Sequence, residues 1–134
     1  FIAAQAGQYN FSRCLAHGEK GAAALALSRF AEKYIEAAFL INRRHCPYYK
    51  WALRAMKSLE KLGDCADTLD ALLSNGISDG KASAETAERL CARMIKELVS
   101  EGLCPPCGDY LEPYAYKLRD RISSGELRNM PIVI

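Results

Sequence analysis

Between Ala22 and His45 the chain carries one continuous helical pattern, and no other feature restricts its fold as much. Leu27, Ala31, Tyr34, Ala38 and Ile41 recur at spacings of four and three, while Arg29, Glu32, Lys33 and Glu36 fill the opposite side. Such a stripe predicts a long amphipathic helix over residues 22–45. Pro47 is its expected stop, because the residue before a proline is pushed out of helical geometry.

The rest of the chain reads the same way. Residues 1–16 are predicted helical, although Gly7 and Asn10 weaken the pattern. A second helix is expected from Tyr48 to Leu62, burying Trp51 or Ala52 with Ala55, Leu59 and Leu62. Gly63 should end it and Asp64 should cap a third helix, through Leu69, Leu72 and Leu73, that stops at Asn75-Gly76. Residues 76–82 read as a loop. Ser83 then caps a helix with the core face Ala87, Leu90, Cys91, Met94, Ile95 and Leu98. A last helix holds Tyr114, Ala115, Leu118 and Ile122, with Pro113 tolerated in its first turn. The tail RNMPIVI is apolar and is expected to extend along a surface or lead into further chain. The fold class is therefore all-α: one bundle of five to six helices, mostly antiparallel neighbours, joined by short connections.

Length and composition agree with one domain over residues 1–134, since 134 residues can bury a core and half of them are hydrophobic. No apolar run approaches the ~20 residues of a membrane span, and no secretory signal pattern opens the chain. FIAAQAGQYNF, without an initiator Met, reads as a helix entered from upstream; the expectation is the C-terminal part of a longer, cytoplasmic protein. Six cysteines are then expected to be reduced. Cys14, Cys46, Cys65 and Cys91 suit half-buried or buried helix positions. Cys104-Pro-Pro-Cys107 lacks the strand that a redox CxxC follows, and His45-Cys46 is a poor second pair for zinc, so a proline-rich turn is the simpler reading.

No complete catalytic set is legible: there is no phosphate-binding loop, nucleophile elbow or zinc-protease motif, and His17 and His45 are the only histidines. Asp64, Asp67 and Asp70 sit where carboxylates favour a helix start. The positive signal is basic. Lys50, Arg54, Lys57 and Lys61 step by four, three and four, which places them on one face of the expected second helix. They form either a solvated face paired by a neighbouring helix or a landing strip for phosphates. The formal net charge of +2 favours a local anion site over broad nucleic-acid binding. Arg43 and Arg44 end the preceding helix, and a helix start near Tyr48 offers free amides. Tyr48, Tyr49 and Trp51 cannot all point one way, so at least one ring should pack inward, with Trp51 favoured as the corner residue. Tyr9, Asn10 and Arg13 form a second polar cluster. Glu112, Tyr116, Arg119 and Asp120 form a third, with a salt-bridged structural network as the alternative for each.

YNFSRC (Tyr9–Cys14), FLINRRHCPYYKW (Phe39–Trp51), YAYKLRDRI and ELRNMP together resemble the helical C-terminal domain, a domain of unknown function, of bacterial nucleotidyltransferase-like proteins. The resemblance spans essentially the whole chain, and NRR-x-x-PYYKW is its most specific block. It implies an upstream α/β domain, similar to the kanamycin and DNA polymerase β type of nucleotidyltransferase, as partner in cis. That domain would hold Mg²⁺ and a nucleoside triphosphate. This chain would then be the accessory half, lending a basic-aromatic surface to the acceptor or phosphate side of the cleft. The implied binding positions are Tyr9, Asn10, Arg13, Asn42, Arg43, Tyr48, Tyr49 and Lys50, and the basic strip adds Arg54. No catalytic or metal-ligating residue is expected in the chain itself. The HEPN class of helical domains, also similar, includes ribonucleases with an Arg-x(4–6)-His pattern; Arg13–His17 and Arg43–His45 are too close for it. The competing expectation is an interaction or dimerisation module with no catalytic role.

Overall fold

Phe11, Gly7 and Ala4 put a smooth buried face on α1 (Ile2–Ala16), and α2 (Lys20–Ile41) folds back along it. A Cβ at Gly7 would come within 2.7 Å of Ala26 O and Phe30 N, so the two helices touch backbone to backbone. The hairpin closes through a Schellman turn. Glu19 N donates to Cys14 O and Gly18 N to Leu15 O, with Gly18 at φ +74°. The remaining elements of this computed structural model, which describes residues 1–131, are α3 (Tyr49–Met56), α4 (Ala66–Asn75), α5 (Gly80–Ser100), α6 (Leu111–Asp120) and α7 (Gly125–Arg128), with a 3-10 turn at Gly63–Cys65.

The all-α expectation holds; among the described residues there is no strand, and there are seven helices where five to six were expected. The extra element is the one-turn α7, started by Ser124, whose Oγ accepts from Leu127 N at 3.4 Å. One buried cluster runs through the molecule. Phe30, Tyr34, Ala38 and Phe39 of α2 lie at its centre, with Leu69 of α4, Met94 and Leu98 of α5, and Leu111 and Tyr114 of α6. Gln5 of α1 ties α6 in place, its Oε1 accepting from Leu111 N at 2.7 Å. The Tyr114 hydroxyl pins the CPPC turn, accepting from Cys107 N at 3.1 Å and donating to Gly108 O at 3.0 Å. That turn is packing, and all six cysteines are free thiols.

Several expected boundaries move, each for a visible reason. α2 stops at Ile41, not His45, and Pro47 does not end it. Asn42 is its C-cap, and a second Schellman turn follows, with Arg43 N donating to Leu40 O and Arg44 N to Phe39 O. α3 ends at Met56 rather than Leu62, because the Asn42 amide claims the Lys61 backbone. Lys61 N donates to Asn42 Oδ1 at 3.0 Å, and Asn42 Nδ2 donates to Lys61 O at 2.8 Å. A peptide unit engaged this way cannot join a helical ladder. Leu62 then turns left-handed at φ +65°, and Gly63 lies so close to Met56 O that a Cβ would sit 2.9 Å away.

Asp64 does not cap α4; Cys65 holds the cap position, and Asp64 lies 3.7 Å from Arg93. α5 begins earlier than expected. Asp79, not Ser83, caps it by accepting from Ala82 N at 3.1 Å, and Ser83 is buried within the first turns. Ile122 lies beyond the end of α6. Of the tail RNMPIVI, residues 132–134 lie outside the described residues; Met130 is exposed. No helix among the described residues is long and apolar enough to cross a membrane.

Candidate functional site

After the Asn42–Arg43 turn the chain runs without regular structure to Tyr48, with Cys46, Pro47 and Tyr48 beside Glu36, Glu32 and Ser28 of α2, and α3 follows. Ala52 and Met56, one turn apart, seat α3 on the core. Helical geometry then sends Tyr49 and Leu53 to the flank facing α2, and Lys50, Trp51 and Arg54 to the outward side.

All three rings of the PYYKW block stay in solvent. Tyr48 is 59 % exposed, Tyr49 67 % and Trp51 55 %. This corrects the expectation that at least one packs inward and that Trp51 fills the corner; Ala52 holds that seat. The rings pack on each other instead. Tyr48 sits 4.5 Å from Tyr49 and 6.0 Å from Trp51, centroid to centroid, tilted by 56° and 59°.

The basic strip divides. Lys57 reaches Asp67 of α4 at 2.6 Å, which raises its ammonium pKa, and Lys61 pairs with Glu101 of α5. For these two, the solvated and paired reading holds. Arg43, Arg44, Lys50 and Arg54 are exposed and meet no carboxylate among the described residues.

Between α2, α3 and α4 lies a groove of about 680 Å³, lined by Ala31, Ile35, Leu53, Leu73 and the flanks of Tyr48 and Tyr49, with Glu32 and Glu36 on its α2 wall. Those carboxylates already have partners: Lys33 reaches Glu36 at 2.7 Å and Arg29 reaches Glu32 at 3.5 Å. Cys46 lines the same groove, and its thiol is pushed above the usual range by burial and then by Glu36 and Glu32, which makes it a poor nucleophile at neutral pH. The sequence reading missed this groove. No pattern in the sequence marked it: Leu25 and Leu40, the apolar residues of α2 that the structure leaves 75 % and 72 % exposed, do not line it.

The structure brings Tyr48, Tyr49, Lys50 and Arg54 together and adds Trp51 to them. Arg43 stands at the other end of the irregular segment, in the turn after α2. Asn42 is occupied by Lys61 and by Ala38 O, to which Nδ2 donates at 2.8 Å. Tyr9, Asn10 and Arg13 do not join this corner. α1 covers the face of α2 that carries Ala26 and Phe30, whereas the groove lies on the face of Ser28 and Glu32, about half a turn away. Arg13 instead stacks over Tyr9 at 5.3 Å and hydrogen-bonds its hydroxyl at 3.3 Å. Arg119 lies in the same way over Tyr116, at 5.4 Å, and 3.9 Å from Asp120. Among the described residues no three His, Cys, Asp or Glu side chains converge to hold a metal ion.

A family model described as a domain of unknown function, DUF4037, matches residues 1–52. The match covers α1, α2, the arginine turn and the start of α3. It contains every candidate position except Arg54 and leaves out YAYKLRDRI and ELRNMP, so it extends over less than half of the chain rather than the whole of it. No curated protein and no solved structure matches the chain.

Proposed function

We propose that this chain is the helical accessory domain of a nucleotidyltransferase, turning the outward face of α3 toward the acceptor or phosphate side of a cleft supplied by an α/β domain in the same polypeptide. One observation carries the reading: the NRR-x-x-PYYKW block, the most family-like stretch of the sequence, holds out of the core three rings and three cations that have no carboxylate partner among the described residues, and Arg54 follows one turn on from Lys50. Fold stability does not require that, since exposed rings forgo burial and clustered cations repel. On this reading, metal binding and the triphosphate chemistry belong to the α/β domain. This chain's part is to bind and orient.

The test is Mg²⁺-dependent transfer from a labelled nucleoside triphosphate by the natural polypeptide that contains this chain. The Lys50→Glu, Arg54→Glu double variant should lower kcat/KM at least about tenfold, a loss of ~1.4 kcal/mol of transition-state binding, while its thermal midpoint stays within a few degrees. Full activity per folded molecule would remove the site claim.

The apolar groove beside the corner favours a second reading, an interaction module without catalytic role. A homodimer through α3 would set Lys50 and Arg54 against their own copies across a two-fold axis, which costs electrostatic energy. Such a dimer would tighten as salt rises, so light scattering across salt concentrations identifies it.

A further inference from the structure

We infer that the exposed start of α3 is a stacking platform for single-stranded nucleic acid, a few nucleotides of which run from the Arg43–Arg44 turn across Tyr48, Tyr49 and Trp51 to Lys50 and Arg54. Three observations support it. The rings form one continuous exposed set, with Tyr48 packed between Tyr49 and Trp51; such π-faces accept any base. The four cations flanking them have no carboxylate partner among the described residues, whereas Lys57 and Lys61 of the same strip do. Within that strip, charge is therefore left over only at the end that carries the rings. The cations are also divided between two elements, the turn after α2 and the first turns of α3, an arrangement suited to successive phosphates along a strand. In a duplex the bases are already stacked, so the rings select an unpaired strand. Tyr48 and Tyr49 also edge the groove on the α2 side, whose carboxylates Glu32 and Glu36 are already engaged by Arg29 and Lys33.

This names the acceptor class for the surface described above and rests on that reading, but its test needs only the 134-residue chain. Trp51 is the sole tryptophan, so its fluorescence reports the platform directly. An oligoadenylate of about eight nucleotides, titrated at low salt, should quench Trp51 saturably, with log K falling against log salt at a slope of about −2 to −3, as three or four neutralised phosphates give on a single strand. Lys50→Glu with Arg54→Glu should weaken binding more than about tenfold and flatten that slope by roughly half. Tyr48→Ala with Tyr49→Ala should weaken oligoadenylate yet leave inorganic polyphosphate unchanged, circular dichroism confirming that both variants stay folded. The proposal is overturned if oligoadenylate does not bind, if polyphosphate, an acidic peptide or a duplex of equal length binds as tightly, or if the tyrosine variant behaves as wild type. Binding without nucleotide transfer by the natural polypeptide would leave the platform standing and remove the transferase reading; transfer without binding would do the reverse.

Discussion

Arg43 adopts a backbone conformation that its neighbours in the same structural role leave to glycine. Gly18 after α1 and Gly102 after α5 close their Schellman turns at φ +74° and +64°, and Arg43 closes the third at φ +54°. An L side chain there costs about 1 kcal/mol or more. Arg43→Gly is therefore expected to raise stability by about 1 kcal/mol, seen as a higher urea midpoint at unchanged slope, while weakening oligoadenylate binding. A stabilising variant that loses binding is the pattern expected where strain is kept for function. Asn42, next to it, has the opposite character. Its amide satisfies both backbone groups of Lys61 and one carbonyl of α2. Asn42→Ala leaves those half-buried groups unpaired and should cost about 2–3 kcal/mol by chemical denaturation. A sequence can mark Asn42 as conspicuous, but only the fold shows its partner nineteen residues on.

At the level of elements, the helices themselves were legible and their ends were not. Periodicity locates α2 and α5 because burial repeats along them, and Ala87, Leu90, Cys91, Met94 and Leu98 are buried as their spacing implies. Ends are set by groups that periodicity does not carry: the Asn42 clamp on Lys61, the Asp79 cap, and the left-handed turns at Arg43 and Leu62. The strip of Lys50, Arg54, Lys57 and Lys61 looked like one face because a helix through Leu62 was assumed; once α3 ends at Met56, two of its members turn to Asp67 and Glu101. The exposure of all three rings was illegible for a related reason, since Ala52 is a modest residue to find in a seat that Trp51 could have filled. Gly7 belongs to this scale too. It weakened the pattern of α1 and yet sets the spacing of the α1–α2 hairpin. Gly7→Ala would place a methyl against the backbone of α2, which cannot give way as a side chain can. The expected loss is about 2–3 kcal/mol, despite the gain in helix propensity, and a thermal melt of the variant would show it.

At the level of the whole molecule, the two halves of the chain are joined where Tyr34 of α2, Cys65 of the 3-10 turn and Cys91 of α5 meet the core. The Tyr34 hydroxyl lies 3.5 Å from Cys65 Sγ, and all three groups are buried. Burial raises the pKa of each: Cys91 is pushed up to about 12, with Glu88 adding to the effect, and Cys65 and Tyr34 are raised in the same direction. These groups are neutral when protonated, so the folded state holds protons that the unfolded chain releases above the ordinary thiol value near 9 and phenol value near 10. Stability from this source is complete below pH 9 and falls as pH rises toward 12, by up to ~1.4 kcal/mol per pH unit for each group in its window. Urea midpoints measured from pH 8 to 11 should accordingly stay level and then drop beyond pH 9. In Cys91→Ala the drop should begin from a lower baseline, because the core loses its sulfur, but should be shallower by about one proton between pH 9 and 11. A slope unchanged by that substitution would mean the thiol ionises in the folded protein as readily as in the unfolded one, and that the joint between the halves opens locally before the molecule unfolds.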